Sequence, residues 1–180
     1  MKLINSSYQI LNQPSGLEGI YKQIEIAGRT CYKSENNITK DSSETFVNNM
    51  IKSGHGAMLE HGTVYLHITT YGDPITNENY DLIQKYATNK FSKVLQINVF
   101  EAYVTTNYRV IMQGYYSTYR EALENNFDKN WKKDLDFICE PTHNIKRISV
   151  KFICDRGISH EFVRHRVFSF AQESTRQWRH

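Results

Sequence analysis

The chain is poor in cysteine and pairs none by spacing. Cys31, Cys139 and Cys154 stand far apart among 180 residues, odd in number and without a C-x-x-C. That excludes a disulfide framework and predicts reduced thiols in a cytoplasmic protein. Long apolar runs are missing too. No stretch approaches the ~20 apolar residues that span a bilayer. The opening MKLINSSYQILNQ has no apolar run of the kind a signal peptide carries. Charge of one sign is not in excess. With 22 Lys and Arg against 19 Asp and Glu, the net charge is +3, too mild for bulk nucleic-acid binding. There is no G-x-S-x-G elbow, no P-loop and no glycine-rich dinucleotide fingerprint, so any nucleotide must be held by another device. Repeats, low-complexity segments and Gly-, Pro- or Ser-rich linkers are absent as well. These absences leave a soluble, intracellular protein with no membrane partner.

What is present is a globular composition, 39% hydrophobic and 13% aromatic, enough for a real core. Met1 to Leu11 alternates weakly and reads as an edge strand. Ser15-Gly16-Leu17-Glu18 reads as a capping box ahead of a helix carrying Leu17, Ile20, Ile24 and Ala27. A second helix is expected from Ser42 or Ser43 to Gly54, with Phe46, Val47, Met50 and Ile51 as its stripe. The alternation Val64, Leu66, Ile68 predicts a half-buried strand. Helices are expected over Asn79 to Thr88, from an Asn107 cap through Met112, over Ser117 to Phe127, and over Trp131 to Ile138. Ala102 to Thr106 reads as a strand, as does Lys146 to Cys154 through Ile148, Val150 and Phe152. A last helix is expected from Gly157 to about Arg166. The fold class is α+β, a single domain of mixed or antiparallel sheet packed with helices.

Chemistry concentrates in RHRVFSFAQESTRQWRH, residues 164–180, within the basic region that begins at Lys146. On a helix, Arg164 and Arg166 point about 200° apart, while Glu161 and His165 share a face. Two arginines so placed reach one polyanionic site only if the chain leaves the helix and doubles back. Guanidinium forks suit phosphate oxygens, and Ser169, Ser174 and Thr175 add neutral donors. A solvated, ion-paired tail is the bland alternative. Phe162, Val163, Val167, Phe168 and Phe170 interleave with the polar residues, which favours a packed segment presenting its arginines.

The stretch His55-Gly56-Ala57-Met58-Leu59-Glu60-His61 is the second cluster. Its outer histidines are six residues apart, about 120° off a common helical face, which argues against zinc. One reading is a helix-terminus turn with hydrogen-bonded histidines. Another has Gly56 admit a flat ligand that His55 and Glu60 hydrogen-bond. Cys31 lies between Arg29 and Lys33 but has no paired base in the sequence, and a packing role is expected for it.

Arg164-His165-Arg166, seven intervening residues and Ser174 resemble the RHR-x7-S motif of the flavin-dependent thymidylate synthases. The longer form, RHR-x-x-S-x4-S-x-R, is met by Ser169 and Arg176. AGRTCYKSE (27–35) and SGHGAMLEHGTVYLHI (53–68) are similar to earlier family segments. The resemblance implies the family's α+β fold, with an insertion at about 71–140. It implies an FAD-dependent methyltransferase making dTMP from dUMP, with methylenetetrahydrofolate and NADPH as co-substrates. It implies a homotetramer with active sites shared between subunits.

By position, the resemblance assigns FAD to His55, Ala57, Glu60, Arg164, His165, Arg166 and Gln172. It assigns dUMP to Glu161, Arg164, Gln172, Ser174, Thr175 and Arg176. Glu161 and Gln172 exchange the residue types common in the family, and Ala57 replaces a hydroxyl residue. Family members continue past this motif, so the resemblance implies a C-terminally truncated chain. Its catalytic arginine would lie beyond residue 180, no catalytic residue would lie within it, and turnover would be weak or absent. The rival reading is an RNA- or single-stranded-DNA-binding module, with the Arg/His stretch on phosphates and tyrosines stacking on bases.

Overall fold

The computed structural model describes residues 5–72, 77–127, 131–165 and 168–173. In chain order they form β1 (Ser7–Leu11), α1 (Gly16–Tyr32), α2 (Ser42–Lys52), α3 (Gly56–Leu59), β2 (Thr63–Thr69) and α4 (Glu78–Thr88). Then come β3 (Lys93–Asn98), β4 (Glu101–Asn107), α5 (Tyr108–Gln113), α6 (Tyr119–Glu124), β5 (Ser149–Ile153) and α7 (Arg156–Phe162). Short 3-10 helices cover Glu35–Asn37 and Trp131–Phe137.

The core forms around an antiparallel sheet in the order β2-β4-β3. Val64, Leu66 and Ile68 of β2 lie opposite Thr106, Val104 and Ala102 of β4, and all six are buried. Side chains alternate across a strand, so this register gathers one continuous face. α4 lays Leu82, Ile83 and Tyr86 into the same core, and α1 adds Ile20 and Ile24. α2 packs on α1 where Gly28 permits it, since a Cβ there would lie 2.5 Å from the Phe46 ring. Asn107 ends β4 and caps α5, its side chain accepting from Val110 N–H. Thr118 caps α6 in the same way.

Some expectations need correction. The capping box does not form. Ser15 occupies the N-cap position without a side-chain bond, and Glu18 pairs with Lys22 at 2.5 Å instead. Trp131–Phe137 winds as a 3-10 helix around Asp134, which is buried. That carboxylate accepts from Lys85 at 2.8 Å and from the Tyr86 hydroxyl at 2.6 Å. Strand β3 has no counterpart in the sequence reading. α7 stops at Phe162, so Glu161 and His165 do not share a helical face.

The other sheet is a two-stranded ribbon, β1 against β5, with Tyr8 opposite Phe152 and Ile10 opposite Val150. Its apolar face is turned outward: Tyr8 is 71% exposed and Phe152 52%. Lys151, on the opposite face, pairs with Glu35 at 3.6 Å. Among the described residues no helix is long and apolar enough to cross a membrane.

Candidate functional site

The His55–His61 stretch forms the single turn α3 between α2 and β2. His55 stands just before it, its Nδ1 2.7 Å from the Tyr32 hydroxyl and its ring stacked on Tyr32. Ala57 is exposed. Gly56 is buried, and a Cβ there would lie 2.5 Å from the Tyr119 ring. Its lack of a side chain therefore admits the Tyr119 ring.

Glu60 closes the turn. One carboxylate oxygen pairs with Arg109 from the first turn of α5. The other accepts from Ser169 Oγ at 2.8 Å, across 109 residues of sequence. This bond joins the His-x4-Glu stretch to the Arg-His-Arg segment. The next residues continue the contact. His61 hydrogen-bonds the Phe170 backbone, Ala171 packs on the core, and Glu173 pairs with Lys33 at 2.5 Å. Gln172 donates to Ser159 Oγ at 2.7 Å and its backbone meets the Cys31 thiol. The chain thus leaves α7 and returns to pack residues 169–173 against α1 and α3.

Beyond α7, the Arg164 and His165 N–H groups bond to the Glu161 and Phe162 carbonyls. Arg164 and Glu161 pair at 3.5 Å with both side chains more than two-thirds exposed, a contact of little worth in water. His165 is exposed. Arg166, Val167, Ser174, Thr175 and Arg176 lie outside the described residues. The apolar residues of this segment are less covered than expected. Phe162 stacks on Phe152 yet stays 40% exposed, and Phe168 meets Phe170 edge-on while 64% exposed.

Burial sets the protonation of the inner groups. It pushes His61 below the usual histidine value, partly offset by the Phe170 backbone and by Glu60. Burial likewise raises the Cys31 thiol, and Arg29 is engaged with Glu25 at 3.0 Å. Tyr119 is pushed up to about 12, with Arg109 pulling the other way. Among the described residues the Tyr119 hydroxyl and His61 Nε2 are buried without a hydrogen-bond partner, and no His, Cys, Asp or Glu cluster could hold a metal.

Arg109, Tyr119 and Tyr32 are the members of this site that the sequence reading missed. Arg109 did carry a signal: a cation in the first turn of a helix opposes the helix dipole, so it answers to something else. A separate open cleft of about 250 Å³ lies over α4, lined by Glu78, Lys85, Tyr115, Trp131, Asp134 and Phe137. It holds none of the motif residues. Lys85 and Asp134 in its lining are already engaged with each other, and Asp134 with the buried Tyr86, so the chemistry points to the motif site instead.

Comparison with curated proteins and with solved structures returned no match. A family model described as thymidylate synthase complementing protein matches residues 17–134. That span holds Tyr32, His55, Glu60 and Arg109 and ends before α7. The chain belongs to this family, the flavin-dependent thymidylate synthases.

Proposed function

We propose that the protein binds FAD and dUMP side by side and serves the reductive methylation of dUMP to dTMP. Methylenetetrahydrofolate is the carbon donor and NADPH the reductant. The observation that carries this reading is the Ser169–Glu60 hydrogen bond, which draws two distant motif segments onto one surface. The donor set suits a flavin dinucleotide. The Arg164 guanidinium is 74% exposed and only loosely paired, so it is available to a pyrophosphate. His165 and His55 offer ring nitrogens, Glu60 offers a carboxylate, and the outward-facing Ala57 adds van der Waals contact.

Bound FAD supplies hydride-transfer chemistry, while this chain binds and orients. In this reading Arg166 and Gln172 complete the FAD side. Glu161, Arg164, Gln172, Ser174 and Thr175 hold dUMP, and Arg176 takes its phosphate. The working form is a cytoplasmic homotetramer, with 71–140 as an insertion relative to compact members. The outward apolar ribbon supports assembly, because its polar side already faces the chain's own body through Lys151 and Glu35.

The test is an FAD titration of the purified protein by visible absorbance, followed by dUMP. The expected outcome is a saturable flavin spectrum that dUMP perturbs. A colourless protein that carries nucleic acid and binds it with steep salt dependence would overturn the proposal.

A further inference from the structure

We infer that Arg109, outside every recognised motif, is the positioning residue that sets the Glu60 carboxylate for the flavin. This inference rests on the flavin reading of Glu60. Arg109 pairs with one oxygen of Glu60 while Ser169 takes the other, so the two oxygens are already distinguished. The guanidinium is itself held. Its carbon lies 5.5 Å from the centre of the Tyr119 ring, and that ring packs against the backbone of Gly56. Glu60, just past α3, is therefore tied to α5, and Gly56, the first residue of α3, is packed against α6.

A carboxylate at the end of a four-residue helix would otherwise sample several rotamers, which binding would have to freeze. Arg109 removes that freedom in advance. Its placement against the α5 dipole and its partly buried side chain fit a group kept for its contact with Glu60. An arginine is suited to the task because its planar fork fixes direction as well as charge.

The experiment compares wild type, R109Q, R109K, E60Q and the R109Q/E60Q double variant. FAD affinity is read by titration, and thermal unfolding of the flavin-free protein is read separately. R109Q and E60Q are each expected to weaken FAD binding by about tenfold or more, the scale of one charge-assisted hydrogen bond. The double variant should bind no worse than E60Q alone, since both changes remove one interaction. R109K, which keeps the charge but not the fork, should fall between wild type and R109Q. A purely structural ion pair would move the unfolding temperature and leave FAD affinity in place. Wild-type FAD affinity in R109Q, or additive losses in the double variant, overturns the inference and leaves the flavin reading standing. If R109Q fails to fold, wild-type affinity in R109K overturns it as well. A wild-type protein that binds no FAD overturns both.

Discussion

Strand β2 turns Val64, Leu66 and Ile68 into a fully buried face, whereas β5, with the same alternation, turns Val150 and Phe152 to solvent. The difference lies in what covers each strand. β2 pairs with β4, and helices close over the pair. Among the described residues β5 pairs only with β1, and its polar side, through Lys151, faces the body of the chain. A two-stranded ribbon is marginal by itself in water. Alternation separates two faces; only a neighbouring layer decides which face is the inside. The ribbon and α7, which lead into the Arg-His-Arg segment, thus present an apolar surface that the buried β2–β4 face does not.

Substitutions put this contrast to the test. The largest effect is expected at Asp134, where Lys85 and Tyr86 both depend on one carboxylate oxygen. Asp134→Ala should cost about 3–5 kcal/mol in urea unfolding, because it strands a buried ammonium. A loss within the range of exposed ion pairs would show that this half of the molecule is wetter than described.

Next come matched truncations. Leu66→Ala in β2 should cost about 2–5 kcal/mol, and Val150→Ala in β5 under about 0.5 kcal/mol. Val150→Ser should weaken self-association in sedimentation while sparing unfolding. Equal losses in the two strands would erase the distinction between them.

The smallest effect concerns the junction between the regions, where His61 meets the returning 169–173 segment. Burial holds the folded pKa below the unfolded value, about 6.5. The unfolded chain therefore binds the extra proton as pH falls through that range, and stability declines with falling pH. The slope is bounded at about 1.4 kcal/mol per pH unit and ends below the folded pKa. His61→Gln should flatten this dependence between pH 7.5 and 5.5. An unchanged slope would mean that another group titrates.

Much of the central half is legible in the sequence because local signals and tertiary context agree there. The stripes of α2 and α4, the β2 alternation and the Asn107 cap all hold. β3 escapes notice because Lys93 to Asn98 is a mostly exposed edge strand, with no buried face to impose a pattern. The capping box fails because Glu18 finds Lys22 one turn on. At the site, the two motif segments could be picked out along the chain, but the Ser169–Glu60 bond between them spans 109 residues and has no local signal. Arg109 could not be tied to Glu60, because the pair spans 49 residues and belongs to a stretch with no motif.

The central claim is that the His-x4-Glu turn and the Arg-His-Arg segment form one flavin surface beside a uridylate. The most direct measurement is a crystal structure of the protein with FAD and dUMP. The account predicts Glu60, Arg164 and His165 in contact with the flavin dinucleotide, and dUMP beside it. Those side chains turned to bulk water, or FAD seated elsewhere, would contradict it.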